Sequence, residues 1–277
     1  MTFEWHTVAG FGVAGNFAEH LAQAGESVDF VDVAVDEAHA PKGLFPFYLP
    51  HHSSFLGTFP LHSHLLVAPK GESLQMEPEV AIVCDVYYEN GKLIDIEPIA
   101  FGPYNDASIR RAGAPKISHK KNWGAATKGV GEHFLAIDRF AAGGVMDGYR
   151  IASFVRREGK LIAYGEDSAL LGYSYFYQKL LDWMVGKFQT QTDNGPLEAI
   201  GEYLKTCGLP KRLLISIGAT RYTEFGEHHY LEVGDKIYVV LYRASSCSHE
   251  MIVDAILHDK PLHESTLILA QEVVDAL

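Results

Sequence analysis

Two long runs of apolar and β-branched residues, LQMEPEVAIVCDV and KLIDIEPIAF, lie on either side of Asn90-Gly91. An Asn-Gly pair tolerates the positive φ angles of a two-residue turn, so this stretch predicts a long antiparallel hairpin spanning residues 74–101. A second hairpin is expected at SFVRREGKLIAYG, with Glu158-Gly159 at its tip. RLLISIGAT reads as a buried strand, and LEVGDKIYVVLY as another, entered through a Gly234-Asp235 turn. Helical patterning falls elsewhere: an aromatic-rich stretch at 173–188, and residues 196–206, which stop at Gly208 with Pro210 just beyond. The tail HESTLILAQEVVDAL has the amphipathicity of a terminal helix. Hairpins mixed with separate helices, with no β-α-β alternation, argue for an α+β fold.

With 277 residues the chain can bury a substantial core. We read 1–277 as a single domain, with an N-terminal segment and lid at 1–70, a core at 71–245 and a helical tail at 246–277. Residues 41–64 carry four prolines and four histidines without periodicity, which predicts a long ordered loop or lid and no regular element. FGVAGNFAEHLAQAGE suits a strand-to-helix turn, and Asn16 and Glu19 have the spacing of a capping box. A helix over about 17–24 would put His20 and Gln23 on one face. The opening GFGVAGN lacks the G-x-G-x-x-G register and the acidic residue of a dinucleotide site, so that reading is rejected.

The formal charge is −12, from 23 basic and 35 acidic side chains. Such a surface repels phosphate backbones and argues against a nucleic-acid partner. It leaves room for an anionic small molecule, because a bound cation reverses the local field. No apolar run approaches the roughly 20 residues that span a bilayer. No basic region followed by an apolar one marks a secretion signal. Cys84, Cys207 and Cys247 are odd in number, widely spaced and contain no C-x-x-C pair. The expectation is a cytoplasmic chain with free thiols, no structural zinc and no membrane association.

Glu77 and Glu79 stand two apart at the start of an apolar strand, where residues i and i+2 share a face about 6.6 Å apart. Two carboxylates so placed repel each other and lose hydration, so one takes up a proton unless a cation sits between them. A hard divalent ion resolves the conflict; the alternative is a solvated strand end with two surface acids. Further along come PIAFGPYNDASIRR, with Asp106, and HKKNWGAATKGVG, with lysines beside an aromatic residue and a glycine-rich turn.

Taken in order, Gly15-Asn16-Phe17 with His20, Glu77 and Glu79, Asn105-Asp106-Ala107-Ser108-Ile109-Arg110, Lys121-Asn122-Trp123, Gly218-Ala219-Thr220 and Leu231-Glu232-Val233-Gly234-Asp235 make a series. Over residues 8–242 the chain thereby resembles the fumarylacetoacetate hydrolase family. The resemblance implies a mixed β-roll or β-sandwich with peripheral helices, a homodimer, and Mg²⁺ or Mn²⁺ held by Glu77, Glu79 and Asp106. It also implies a small anionic oxo-acid substrate. The activity implied is hydrolysis or decarboxylation of a C–C bond in a 2-oxo or 1,3-dicarbonyl acid through a metal-stabilised enolate. Lys121 would stabilise the oxyanion or orient the substrate carboxylate, and His20 would act as general base. Arg110, His119 and Thr220 would contact substrate.

Several positions depart from the family pattern. Gln23 stands where an acidic partner of His20 is usual; an amide orients an imidazole but does not stabilise its charge. Glu19 and Glu26 are the acids that could take that place. The lid lysine is replaced near Leu49, Gly124 and Arg111 stand in place of aspartates, and Gly-Ala-Thr replaces Gly-Thr-Pro. These changes fall where the family shapes its pocket, so substrate identity is not inherited. An enol–keto tautomerase or isomerase on the same scaffold, and a non-catalytic metal- or ligand-binding module, are the alternatives. His51, His52, His62 and His64 read as exposed loop residues, although His-x-His can ligate Zn²⁺ or Ni²⁺. Tyr173, Tyr175, Phe176 and Tyr177 read as core or as a subunit contact.

Overall fold

A computed structural model describes all residues except 18–19, 27–29, 31–32, 34–36, 38, 112 and 277. In chain order the first strands are β1 (Ala9–Ala14), β2 (Gly43–Tyr48), β3 (Leu61–His62), β4 (Leu65–Val67) and β5 (Leu74–Gln75). Then follow β6 (Pro78–Glu89), β7 (Lys92–Asn105), β8 (Ser108–Ile109), β9 (Lys128–Val130) and β10 (Leu135–Ala136). The last are β11 (Tyr149–Arg157), β12 (Lys160–Ala169), β13 (Arg212–Ser216), β14 (Lys236–Arg243) and β15 (Leu267–Val274). The helices are α1 (His20–Gln23), α2 (Tyr177–Thr190), α3 (Ile200–Thr206), α4 (Glu224–His228) and α5 (His249–Leu257).

One sheet is ordered β2-β1-β13-β6-β7-β9-β3, with β10 joined to β7; a second is ordered β12-β11-β14-β15-β4. The pairs β1/β13, β3/β9 and β4/β15 are parallel and the others antiparallel, so both sheets are mixed. Phe11, Ile82 and Phe101 of the first sheet share one continuous core with Ile151, Val239 and Leu269 of the second. Helix α2 presents Leu180, Met184 and Phe188 to that core, four residues apart and thus on one face. Phe188 meets Phe11 edge to face at 5.1 Å between centroids. This is the α+β fold the sequence predicts.

The central hairpin sets the position of everything functional. Asn90 and Gly91 both have positive φ, 51° and 74°, as do Glu158 and Gly159 at 51° and 77°. Both expected turns form. The register of β6 against β7 runs from Glu89↔Lys92 back to Pro78↔Asn105. Residues 77–79 therefore lie beside residues 104–106 at the end of the hairpin opposite its turn.

Three expectations are corrected. Residues 41–64 are not a lid: β2 is wholly buried and pairs with β1, and β3 follows within the same stretch. Pro46 obscures β2 in the sequence, but β2 is an edge strand, where a missing N–H costs no ladder bond. β1 and β2 sit in the sheet with β13 and β6, so residues from 1–70 and 71–245 build that sheet together. The tail is not a helix beyond α5, since β15 pairs antiparallel with β14 and parallel with β4. Its buried positions alternate, Leu269, Gln271 and Val273, and the polar Gln271 conceals that alternation. Near the N-terminus, described helix covers only His20–Gln23, and Glu19 lies outside the described residues. Asn16 is no cap, because its amide bridges the Tyr175 N–H (2.8 Å) and the Tyr175 and Ile217 carbonyls (3.0 and 2.9 Å).

Candidate metal centre

Glu77, Glu79 and Asp106 are buried, and one carboxylate oxygen from each lies within 4.8 Å of the others. The hairpin ends hold them there. The Asp106 N–H donates to the Glu77 carbonyl at 2.9 Å, and the Glu77 N–H donates to Asn105 Oδ1 at 3.2 Å. Asn105 in turn donates through Nδ2 to Gln271 Oε1 on β15 at 3.1 Å. Glu79 Oε2 accepts from the Gly218 N–H at 2.9 Å. Gly218 has φ +113°, and a Cβ there would stand 3.0 Å from that of Asn16, so only glycine suits the approach.

Cations surround these acids. Lys121 Nζ is 2.7 Å from Glu77 Oε2 and 2.6 Å from Asp106 Oδ2. Arg110 contacts Glu77 Oε1 at 2.8 Å and Glu26 Oε1 at 2.7 Å, and Lys120 reaches the same Glu26 oxygen at 2.8 Å. Lys128 lies 3.1 Å from Asp106 Oδ1. Burial opposes the ionisation of Glu77, but Lys121 and Arg110 outweigh it and hold that carboxyl well below the usual range. Burial pushes Glu79 well above its usual range, and the charges of Asp106 and Glu77 push the same way. Burial also lowers the Lys128 ammonium to about 8 against the pull of Asp106. For Lys121 burial is overcome by Asp106 and Glu77, which raise it.

The donors suit a hard divalent ion. All three are carboxylates, and Glu77 Oε1 and both Asp106 oxygens are buried without a directed hydrogen bond although cations touch them. Oxygens around an octahedral Mg²⁺ stand about 3–4 Å apart, close to the present 4.8 Å spread. Mg²⁺ or Mn²⁺ fits this set better than a softer ion, which would look for nitrogen or sulfur.

Residues 26–273 match the family described as family of unknown function (DUF5718). The chain belongs to that family. No curated protein matches it. Among solved structures, yeast ynq8, a fumarylacetoacetate hydrolase family protein, is 12% identical with a TM-score of 0.54, over 97% of this chain and 94% of that one. A 2-keto-3-deoxy-D-arabinonate dehydratase complexed with magnesium and 2,5-dioxopentanoate is 14% identical with a TM-score of 0.54, over 97% and 73%. The 5-carboxymethyl-2-hydroxymuconate delta-isomerase of Mycobacterium smegmatis is 13% identical with a TM-score of 0.52, over 97% and 79%. The DUF5718 chain thus has the fumarylacetoacetate hydrolase fold.

His20, Glu26, Glu77, Glu79 and Lys121 share one cavity, walled by Val13, Leu21, Phe30, Phe45 and Ile117. Among the described residues it encloses about 20 Å³ of space, room for roughly one water. The His20 Nδ1 is 2.8 Å from the Thr220 carbonyl. A carbonyl only accepts, so Nδ1 carries the proton and Nε2 keeps its lone pair. Burial lowers His20 to about 4 despite the opposing charge of Glu77, so the ring is neutral at neutral pH.

The other expected residues are placed less simply. Gln23 accepts the Tyr222 N–H through Oε1 at 2.8 Å and donates through Nε2 to the Tyr222 carbonyl at 3.2 Å and to Glu227 at 3.3 Å, which ties α1 down. Thr220 meets His20 through its carbonyl. Arg110 is fully engaged inside the protein, with Gln75 and Tyr222 as further partners at 2.5 and 3.0 Å. His119 packs edge-on against Phe55 and is not part of the cavity wall. Glu26 reaches the cavity, but its carboxylate is bound by Arg110 and Lys120. His62 Nδ1 accepts from the His64 and Leu65 N–H groups at 3.0 and 2.9 Å. Tyr173, Tyr175 and Phe176 are core, as expected.

Lys128 and Gln271 were not singled out by the sequence. A lysine in a glycine-rich turn looks solvated, and nothing local marks it otherwise. The signal for Gln271 was the alternation of LILAQEVV.

Proposed function

We propose that the chain is a divalent-metal-dependent enzyme that cleaves a C–C bond, by hydrolysis or decarboxylation, in a small 2-oxo or 1,3-dicarbonyl acid. The observation that carries this is a group of three buried carboxylates, two of which, Glu77 and Glu79, line one cavity together with a cationic Lys121 and a neutral His20. The magnesium and 2,5-dioxopentanoate bound by a dehydratase of the same fold support pairing a hard cation with an oxo acid.

Glu77, Glu79 and Asp106 would hold the ion, which when bound supplies Lewis-acid stabilisation of the charge developing on a carbonyl oxygen. Lys121 keeps its proton at any physiological pH and attracts the substrate carboxylate or the growing oxyanion. His20 presents an unprotonated Nε2 to the cavity, where it accepts a proton from water as that water attacks. The apolar wall excludes other water and strengthens each of these interactions.

A second reading, keto–enol tautomerisation or isomerisation, is favoured by one observation. His20 leans on a carbonyl and not on a carboxylate, so its protonated form gains no ion pair. Such a base takes a proton more readily from a carbon between two carbonyls than from water.

Metal-stripped protein reloaded with Mg²⁺ or Mn²⁺, incubated in D₂O with a panel of 2-oxo and 1,3-dicarbonyl acids and followed by NMR, separates the two. Metal-dependent cleavage products support the first reading. Deuterium in intact substrate without cleavage selects the second, and the absence of both across the panel overturns both.

A further inference from the structure

A buried aspartate needs one cation to offset its charge, yet Asp106 has two. Lys121 covers Oδ2 from the cavity side at 2.6 Å. Lys128 contacts Oδ1 at 3.1 Å and is fully buried, with none of the cavity wall contributed by it. It is the first residue of β9, whose pairing with β7 places Gly129 opposite Asn105 and so brings Lys128 alongside Asp106. Its remaining contacts fix it there: Nζ donates to the Ala107 carbonyl and lies 5.7 Å from the centre of the Trp123 ring. Lys128 lines no part of the cavity and meets the carboxylate group through Asp106 alone.

We infer that Lys128 determines which divalent ion the centre accepts, by engaging one oxygen of Asp106 from behind and so limiting that ligand to a single donor. The inference rests on the metal reading proposed above. Ca²⁺ gathers six to eight oxygens at about 2.3–2.6 Å and commonly takes both oxygens of a carboxylate. Mg²⁺ and Mn²⁺ are content with six donors, one oxygen per carboxylate and waters for the rest. A fixed positive charge behind Asp106 weakens the binding of every cation, and most that of the ion that needs the second oxygen. Lys128 is thus a positioning residue that sets selectivity.

The test is calorimetric titration of metal-stripped full-length protein with MgCl₂, MnCl₂ and CaCl₂. Wild type is compared with Lys128→Met and Lys128→Gln, with a melting curve for each. Wild type is expected to hold Mg²⁺ or Mn²⁺ at least about tenfold tighter than Ca²⁺. In both variants Ca²⁺ affinity should rise at least about tenfold, with a smaller change for Mg²⁺, so that discrimination narrows. A gain in affinity is a result that a merely structural lysine would not give. Folded variants with an unchanged ratio, or with all three ions weakened together, overturn the inference. So does a wild type that binds Ca²⁺ as tightly as Mg²⁺, a comparison that decides alone should neither variant fold. Wild type that binds none of the three ions defeats the metal reading itself, so the two failures are distinguishable.

Discussion

At Glu79 the three carboxylates compete most directly, because burial and two neighbouring charges all favour its neutral form. A cation relieves that competition. Glu79→Gln is therefore expected to weaken Mn²⁺ binding by more than about a hundredfold and to abolish turnover while leaving the far-UV circular dichroism unchanged. Retained binding in calorimetry would count against the centre. Lys121→Met should behave differently, lowering kcat/KM by about a hundredfold without loss of the metal, as steady-state kinetics and titration would report. His20 supplies a pH signature. Its folded pKa is depressed to about 4 by burial, so the stability it contributes is fully present above its unfolded value of about 6.5. That stability is lost as pH falls through about 4. Melting temperatures of metal-free protein should fall over that window, and less so in His20→Gln. The carboxylates were legible in the sequence because two of them are two residues apart and the third lies in a recognisable segment. Lys128 touches Asp106 and Gln271 holds the Asn105 amide beside it, both from distant parts of the chain, and only pairing between strands reveals them.

Among the elements, strands were legible where local chemistry and tertiary pairing agree. Asn90-Gly91 and Glu158-Gly159 mark their turns by residue type, and the strands beside them are long and β-branched. β2 and β15 escaped because each carries one residue that breaks the expected pattern for a reason found elsewhere. Pro46 is tolerated at an edge, and Gln271 is buried because the His62 and Leu65 carbonyls and the Asn105 amide all need it. Gln271→Leu should leave those groups unpaired and cost about 1–3 kcal/mol in urea unfolding. Because Asn105 also holds the Glu77 N–H, the same variant should weaken metal binding by about tenfold or more. A peripheral terminal helix would transmit no such effect, so unchanged metal affinity in that variant would argue against the coupling.

For the whole molecule, the cavity is too small for any oxo acid as it stands, with room for roughly one water. On the proposed function, an oxo acid would enter by parting Leu21 and Phe30 from Phe45 and Ile117. Adding Mg²⁺ with a bound oxo acid should alter amide exchange at His20–Gln23, while exchange in the β6 and β13 core stays slow. Mass spectrometry resolves these segments, and identical exchange throughout would mean that the wall does not move. The fold class was recoverable from the sequence because hairpins and separate helices are local features. The cavity was not, since its lining comes from six separate stretches of the chain, near residues 13, 21, 45, 77, 117 and 219.

The Asn105–Gln271 contact also sets an order of events. A ribosome releases residues 77, 79 and 106 long before residue 271, and the Gly218 N–H that receives Glu79 emerges between them. While the chain is still growing, the acids are present but their backing is not. On the proposed reading, competence to hold a metal would wait for β15, whose Gln271 braces the Asn105 that holds the Glu77 N–H.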